Sequence, residues 1–313
     1  MKKISFLAAS LLVAGGAFAQ GNTQSSSSTG NDNSVTVTQS GSSSSAVGTQ
    51  TGNNNALTQT QSGGSGNSAT STQRGDSQRS FQTQVGSSNT ATIVQGDGLP
   101  LDNGNTATQS QMGNNNSALA RQLSGANVST QTQSGTDHVA EVFQSGSEGN
   151  TATQTQSGSF QKGYITQLGS GNTATQNQRG FQDRATITQL GLGNTATQAQ
   201  GGNPTGSWYS VASIEQIGNS NIASQTQQHD YQNATIEQSG NGSTAIQNQS
   251  GVDFVEPGNR AYIDQDDMGG HFARQTQVGI GNQAATYQGM SGNSSDVMQS
   301  GNNNVSVVKQ NHP

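Results

Sequence analysis

Cysteine is absent from this 313-residue chain, and aromatic residues (4%) and charged residues (9%) are scarce. Without cysteine, an exported protein cannot be held together by disulfide bonds. Hydrophobic residues make up only 27% of the chain, which is too little for a conventional apolar core at this length. The formal net charge is −6, so the basic face that a nucleic-acid partner requires is also missing. These scarcities exclude a disulfide scaffold and argue against nucleic-acid binding.

The single long apolar run lies at the N-terminus and is typical of a secretory signal peptide. Two lysines at positions 2 and 3 precede an apolar segment at 4–14, and Ala-Phe-Ala at 17–19 fits the pattern read by signal peptidase. We predict a signal peptide over residues 1–19, with cleavage between Ala19 and Gln20. The apolar run is too short for a membrane span, so we expect no integral membrane segment.

Gly, Ser, Thr, Asn and Gln dominate what remains, a composition that usually indicates disorder. A regular series of glutamines contradicts that interpretation. Between Gln39 and Gln310 it has 23 spacings, of which 17 are eleven residues, three are twelve and three are sixteen. A Q-x-Q pair ends every second unit, and the units between more often carry an aliphatic residue two positions before the Gln. The repeat is therefore 22 residues long and has two unlike halves.

Each half predicts one β-strand followed by a tight turn. Its five to seven residues alternate in character and are bounded by Gly and Asn. We expect Gly169 and Gly191 to supply positive φ at the corners, and Asn172 and Asn194 to tolerate left-handed geometry there. Two strands and two turns form one flattened coil, and coils stack about 4.8 Å apart.

Strand alternation separates an inward from an outward face. The residue types that recur from repeat to repeat are Asn, Ala, Gln and Ile, so we assign them to the interior, where stacked amides bond to one another. The predicted ladder residues are Gln156, Gln167, Gln178, Gln189, Gln200, Asn172, Asn194, Ala174, Ala196, Gly169 and Gly191. The predicted fold is an all-β, amyloid-forming β-solenoid of about twelve coils with two parallel sheets and uncapped ends that can template another copy.

The repeat Q-x-G-x-x-N-x-A-x-x-x-Q closely resembles the curlin repeat of bacterial curli fibre subunits, over roughly residues 31–310. The resemblance implies a secreted protein that leaves the cell through a dedicated export pore. It also implies a nucleator and related curlin subunits as partners, and extracellular amyloid that supports adhesion and biofilm matrix. Residues 20–31 precede the repeats at the position of the family's export-targeting stretch, and residues 32–313 form the predicted solenoid. Whether the chain resembles a major subunit or a nucleator stays open.

The three sixteen-residue spacings each add five residues to a unit. They contain the internal prolines, which cannot donate within a β-ladder, so we predict protruding loops there. The loop residues singled out are Pro100, Pro204, Trp208, Tyr209 and Pro257. Two interpretations stay open: these loops make lateral contacts with partners, or they are tolerated insertions that fold back on the coil.

No constellation of catalytic or metal-binding residues stands out, so we predict neither an enzyme nor a metal or cofactor site. Asp264, Asp266 and Asp267 lack the per-turn repetition of a calcium solenoid and are interpreted as solvated charge. The four histidines lie far apart without ligand spacing. Scattered acids, Asp183 and Asp230 among them, are interpreted as surface charges that moderate aggregation.

Two alternatives to a fibre subunit remain. One is a monomeric ice-binding solenoid, because Thr-Ala-Thr triplets recur on the outward face, as at Thr173 and Thr175. The other is a repeat adhesin that does not polymerise.

Overall fold

A computed structural model describes residues 12–13, 21–96, 103–146, 149–201, 207–252, 256–266 and 268–312. Within these ranges every regular element is a β-strand, and no helix is present. In particular, none of these residues belongs to a helix long and apolar enough to cross a membrane. The predicted cleavage site at Ala19 and Gln20, and the predicted loop residues Pro100 and Pro204, lie outside the described residues.

The strands form two sheets. The first contains β1 (Leu12–Val13), β3 (Ser34–Gln39), β5 (Ala56–Ser62), β7 (Arg79–Ser87), β9 (Thr106–Asn114), β11 (Val128–Thr136), β13 (Thr151–Ser159), β15 (Thr173–Phe181), β17 (Thr195–Gln200), β18 (Ser207–Trp208), β20 (Ile222–Gln228), β22 (Thr244–Ser250), β24 (Phe272–Val278) and β26 (Ser294–Ser300). The second contains β2 (Thr23–Thr29), β4 (Ser45–Thr51), β6 (Ser68–Arg74), β8 (Thr90–Gln95), β10 (Ser117–Leu123), β12 (Val139–Ser145), β14 (Lys162–Ser170), β16 (Arg184–Leu192), β19 (Val211–Asn219), β21 (Asn233–Asn241), β23 (Arg260–Gln265), β25 (Gln283–Gln288) and β27 (Val305–Gln310).

All strand pairs are parallel, and each strand pairs with its counterpart one coil earlier and one coil later, except for the strands at the two ends of each sheet and the short β18. Between β13 and β15, for example, Ala152 lies opposite Ala174 and Gln156 lies opposite Gln178. The chain therefore winds through about twelve turns of a two-sheet β-solenoid, as the repeat predicts. The predicted all-β solenoid with two parallel sheets is confirmed, and amyloid formation stays a prediction. The register holds because a slip of one residue would turn the whole inward set toward solvent.

The interior is a thin layer of alanine and isoleucine flanked by amides. Ala174 and Ala196 of the first sheet are fully buried and face Ile165 and Ile187 of the second. The same cluster extends from Val142 to Ala273 over successive coils. Small alanines on one sheet leave room for the branched isoleucines of the other, so the two sheets pack closely without large side chains.

Glycine at the corners is required by the close stacking of turns. Gly169 has φ +114° and Gly191 has φ +121°. A Cβ built on Gly169 would lie 2.0 Å from the carbonyl oxygen of Gly191, and one on Gly191 would lie 2.0 Å from that of Gly218. These corners therefore exclude a side chain both by conformation and by contact with the next coil.

The asparagines play a different part from the one expected. The left-handed residues are Gly171 (φ +67°) and Gly193 (φ +64°), each directly before Asn172 and Asn194. The expectation that these two asparagines occupy left-handed positions is wrong, because the glycine before each one completes the turn. Both asparagine side chains instead point inward and are fully buried.

Trp208 was expected in a protruding loop, but it lies in the short strand β18. There it pairs with Phe181 of β15, while Ser207 pairs with Gly180. The chain thus returns to the sheet before the next corner, and the tryptophan is half-buried against the stack. Tyr209, next in sequence, is exposed at the corner, and Pro257 is exposed in the connection between β22 and β23.

The corner geometry predicts that Gly169→Ala destabilises the fold far more than Gly242→Ala. Gly242 has φ +68° with nothing within 4 Å of a built Cβ, so alanine there carries only the left-handed penalty of about 1 kcal/mol. At Gly169 the overlap with the next coil adds to the strain, and we expect a loss of about 3 kcal/mol or more. Denaturant unfolding of the soluble chain measures both, and equal losses would contradict the stacking argument.

Candidate functional site

Columns of glutamine run along the inside of each sheet, and each side chain bonds to the glutamine of the next coil. In the first sheet, Nε2 of Gln156 donates to Oε1 of Gln178 at 2.9 Å, and Gln178 donates to Gln200 at 3.0 Å. In the second sheet, Gln167 donates to Gln189 at 2.8 Å. All five predicted ladder glutamines are at most 2% exposed. The spacing between coils thus brings the amides of successive coils within hydrogen-bonding distance of one another.

The second N–H of each amide donates to a backbone carbonyl of the facing strand. Gln156 bonds to the carbonyl oxygen of Val139 at 2.9 Å, and Gln167 bonds to that of Thr151 at 3.1 Å. Because a carbonyl oxygen accepts only from the NH₂ side, this contact fixes which way each amide points. Every link therefore runs in one direction, with the donor N–H facing the C-terminal coil and the acceptor oxygen facing the N-terminal coil.

A further glutamine column lies beside the first, although the predicted ladder contains only the outer member of each Q-x-Q pair. The inner member also stacks: Gln154 donates to Gln176 at 2.9 Å, and Gln176 donates to Gln198 at 3.0 Å. Both glutamines of the pair share strand parity, so the Q-x-Q spacing itself carries the signal. The first sheet thus contains two parallel amide columns, and the second contains one.

The buried asparagines form a second kind of ladder at the corners. Oδ1 of Asn172 accepts the backbone N–H of Asn194 at 3.0 Å, while its Nδ2 donates to the carbonyl oxygen of Gly191 at 2.9 Å. Asn194 bonds in the same way to the backbone of Asn221 and Gly218. Each of these two asparagines therefore satisfies the corner backbone of the coil that follows it, which explains why the motif places asparagine at this corner.

Several coils have another residue at the asparagine position, and those residues keep the acceptor. Oε1 of Gln78 accepts the N–H of Asn105 at 3.1 Å, and Oγ of Ser243 accepts that of His271 at 3.2 Å. Nδ1 of His271 then accepts the N–H of Asn293 at 3.3 Å. His138 is buried at an equivalent corner, and its Nδ1 accepts the N–H of Gln161 at 3.3 Å. These departures from the motif preserve its hydrogen bond.

Asp183 occupies such a corner position, and it is buried. Its Oδ1 accepts the N–H of Ser210 at 3.0 Å, and its Oδ2 accepts the hydroxyl of Ser207 at 2.7 Å. Burial raises the pKa of Asp183 to about 7, although these two donors act against the rise. Asp230 is also only 1% exposed. The interpretation of Asp183 and Asp230 as solvated surface charges is wrong, because both stand where the repeat points inward.

Aromatic side chains stack along one outer corner of the middle coils. The ring of Phe181 lies 5.4 Å from that of Phe160 and 5.2 Å from that of Trp208. Tyr209 lies parallel to Tyr231 with ring centroids 5.6 Å apart. These contacts cover corners at which Phe160, Tyr209 and Tyr231 all have positive φ. At these corners an aromatic residue takes the left-handed position that Gly171 and Gly193 occupy in other coils.

At the C-terminal end, the fold brings together residues that were expected to lie apart. Nε2 of His312 lies 3.1 Å from Oδ2 of Asp266 and 3.6 Å from Oδ2 of Asp264. Burial, followed by the neighbouring Asp266 carboxylate, raises the pKa of Asp264 to about 6. Asp264 is therefore not a solvated charge. Asp267 lies outside the described residues.

Residues 30–63 match the family model described as the curlin associated repeat. This segment contains β3, β4 and β5, which is one full coil and the start of the next. Its ladder residues continue in register through the rest of the stack, since Gln39 donates to Gln61 and Gln61 donates to Gln84. A search of curated proteins found no match.

The ladder predicts that Gln178→Ala is strongly destabilising, because it removes the partner of three buried groups. These are Nε2 of Gln156, Oε1 of Gln200 and the carbonyl oxygen of Lys162. We expect a loss of about 3 kcal/mol or more in the free energy of unfolding. Thr173→Ala on the exposed face of the same strand serves as the control and should change it by less than about 0.5 kcal/mol. Similar effects of the two variants in denaturant unfolding would contradict the assignment of faces.

The buried carboxyl group of Asp183 predicts that the wild-type chain and Asp183→Asn differ in free energy of unfolding by an amount that depends on pH. The folded state holds the Asp183 proton more tightly than the unfolded state, whose pKa is 3.8. The contribution of Asp183 to the free energy of unfolding of the wild-type chain is therefore fully present at low pH and is lost as the pH rises from about 4 to about 7. Asparagine keeps the acceptor without the buried charge, so at pH ~8 the variant should be more stable by about 2–4 kcal/mol, and at pH ~4 nearly equal. A pH-independent difference in urea unfolding would contradict this account.

Proposed function

We propose that this curlin-repeat protein is a structural subunit, not an enzyme, that stacks end to end with copies of itself into extracellular curli-type fibres supporting adhesion and biofilm matrix. The observation that carries the proposal is the direction of the amide columns, which leaves complementary hydrogen-bonding groups at the two ends of the stack.

The C-terminal end presents the donors. Gln288, one coil inside, is fully buried and donates both to the carbonyl oxygen of Phe272 and to Gln310. Gln310 in the last coil is only half-buried and donates to the carbonyl oxygen of Ser294. By repetition of the pattern, its second N–H points away from the stack. The neighbouring Val305 and Val307 of β27 are 71% and 60% exposed, so this end is open.

The N-terminal end presents the acceptors. Gln39 donates its amide N–H to Gln61, so its Oε1 faces outward along the column. The two-residue strand β1 pairs with β3 at this end. Cleavage after Ala19 would remove β1 and leave the edge of β3 free to pair with another strand. The acceptor end would then be open as well.

Donors at one end and acceptors at the other favour head-to-tail addition. A second copy placed one coil further along the axis continues both parallel sheets and the outer glutamine column of the first sheet, so that Gln299 of one copy would donate to Gln39 of the next. The inner column ends inside the chain, because Val37 and Val297 lie opposite Gln59 and Gln275. Such a heterologous contact does not close on itself, so it builds a filament with no fixed length. The 22-residue step within the chain and the step between chains then have the same geometry.

Ice binding by a monomer is the weaker alternative. The strands β13, β15 and β17 do align threonines, with Thr173 opposite Thr151 and Thr195. On either side of these coils the same column carries Val128 and Ile222. The threonine array is therefore too short to present a broad flat plane.

Assembly from the soluble chain tests the proposal. After dilution from denaturant, we expect a lag followed by thioflavin-positive fibres in electron micrographs, and we expect preformed fibres to abolish the lag. A chain that stays monomeric and β-rich would contradict the proposal, and thermal hysteresis in that case would favour ice binding.

A variant at the C-terminal end tests the stacking direction. The N–H of Gln283, the first residue of β25, donates to the next coil, so by repetition the N–H of Val305 points toward an incoming copy. Val305→Pro removes that donor without breaking a bond in the monomer. We expect fibre elongation to slow at least tenfold. Val305→Thr keeps the donor and is the matched control. Elongation of Val305→Pro at the rate of this control would contradict head-to-tail growth through β27.

A further inference from the structure

Beside the last two coils, three metal-ligating side chains from distant parts of the sequence converge. They are Asp264 on β23, Asp266 just after β23, and His312 after β27. Their ligand atoms, Oδ2, Oδ2 and Nε2, all lie within 4.8 Å of one another. The His312 nitrogen is 3.1 Å from the Asp266 oxygen and 3.6 Å from the Asp264 oxygen.

The solenoid itself creates this juxtaposition. The chain leaves β23, β25 and β27 at stacked positions, because the N–H of Asp266 bonds to the carbonyl oxygen of Gln288, and the N–H of Gly289 bonds to that of Gln310. His312 thereby reaches back over two coils to Asp266, which is 46 positions earlier in the chain. Its ring packs 5.4 Å from that of Tyr287, which lies in the coil between. Packing against Tyr287 therefore holds the imidazole of His312 in position.

The two carboxylates are also held in place. Ser239 donates its hydroxyl to Oδ1 of Asp266 at 3.0 Å, which leaves Oδ2 directed toward His312. The carbonyl oxygen of Asp266 lies 2.8 Å from Nε2 of His271. Tyr262 places its hydroxyl 3.4 Å from Oδ2 of Asp264 and donates to Glu237 at 2.7 Å. Outer contacts of this kind orient the ligands of metal sites.

The local charge favours a cation. Glu215, Glu237 and Asp264 lie directly opposite one another on consecutive strands of the second sheet. Like charges in that arrangement destabilise a sheet, and Asp266 adds a fourth carboxylate beside them. The ammonium of Lys309, one nearby cation, lies over the ring of Tyr287, 5.5 Å from its centroid. A bound divalent ion would offset the mutual repulsion of Asp264 and Asp266.

We propose that Asp264, Asp266 and His312 bind a divalent transition-metal ion of the zinc type, which pins the C-terminal segment to the coil two turns earlier. Ligand bonds of about 2.0–2.2 Å in a tetrahedral site place donor atoms about 3.4 Å apart, close to the separations found here. Two carboxylates balance the double positive charge, and imidazole with carboxylate suits zinc. Three protein ligands leave a fourth position for water. The proposal does not depend on fibre assembly.

Zinc titration of the untagged, soluble chain tests the site. Calorimetry should give one Zn²⁺ per chain, and Co²⁺ substitution should give the visible absorption of a tetrahedral site. His312→Gln and Asp266→Asn should each weaken Zn²⁺ binding at least tenfold. His229→Gln and Asp296→Asn change the same residue types away from the cluster and should bind as the wild-type chain does. Circular dichroism of each variant checks that the fold is retained.

Two outcomes would overturn the proposal. The first is a wild-type chain that takes up no Zn²⁺ in the titration, since the cluster would then be only an ion pair between His312 and the two aspartates. The second is binding that is equal in His312→Gln, Asp266→Asn and the two control variants, since the ion would then lie elsewhere. The titration uses soluble chain, so a failure to form fibres leaves its result interpretable.

Discussion

The structure depends on one constraint: a buried carboxamide is costly unless it finds hydrogen-bond partners. Each ladder glutamine donates one N–H to the glutamine of the next coil and the other to a backbone carbonyl of the facing strand. Gln178, for example, donates to Gln200 and to the carbonyl oxygen of Lys162. Both bonds form only when coils are stacked in register at the β-sheet spacing. In a protein with so little apolar surface to bury, the amides specify the register and the Ala and Ile layer fills the space between them.

The corners follow from the same spacing. Backbones that stack this closely leave no room for a Cβ at Gly169 or Gly191. They also leave corner N–H groups that the strands cannot satisfy, and the side chain of Asn172 accepts one of them. Gly and Asn thus have separate roles in the same turn: Gly avoids a clash with the next coil, and Asn accepts a backbone hydrogen bond. Where another residue replaces the motif asparagine, as Gln78 and His271 do, its side chain still accepts the hydrogen bond.

The common direction of the glutamine columns also affects how copies of the chain meet. Because every ladder glutamine points the same way, the two ends of the stack differ in chemistry as well as in sequence. A homopolymer built from such a unit has a polar axis, and the contact between copies repeats the contact between coils. Apart from the buried Asp183 and Asp230, the charged side chains of the described residues lie at the corners or on the outer face, where the acidic column ending at Asp264 meets the C-terminal segment.

The sequence by itself determined the repeat, the strand-turn pattern, the inward face and the parallel two-sheet solenoid, because strict periodicity fixes strand parity and coil length. Only the tertiary structure decided which residues meet across coils without sharing a motif. It placed Trp208 on the sheet, buried Asp183, and brought His312 beside Asp264 and Asp266. The physical reason is that a one-dimensional period predicts only contacts that recur. These contacts occur once, where an insertion, a substitution or the end of the chain breaks the repeat.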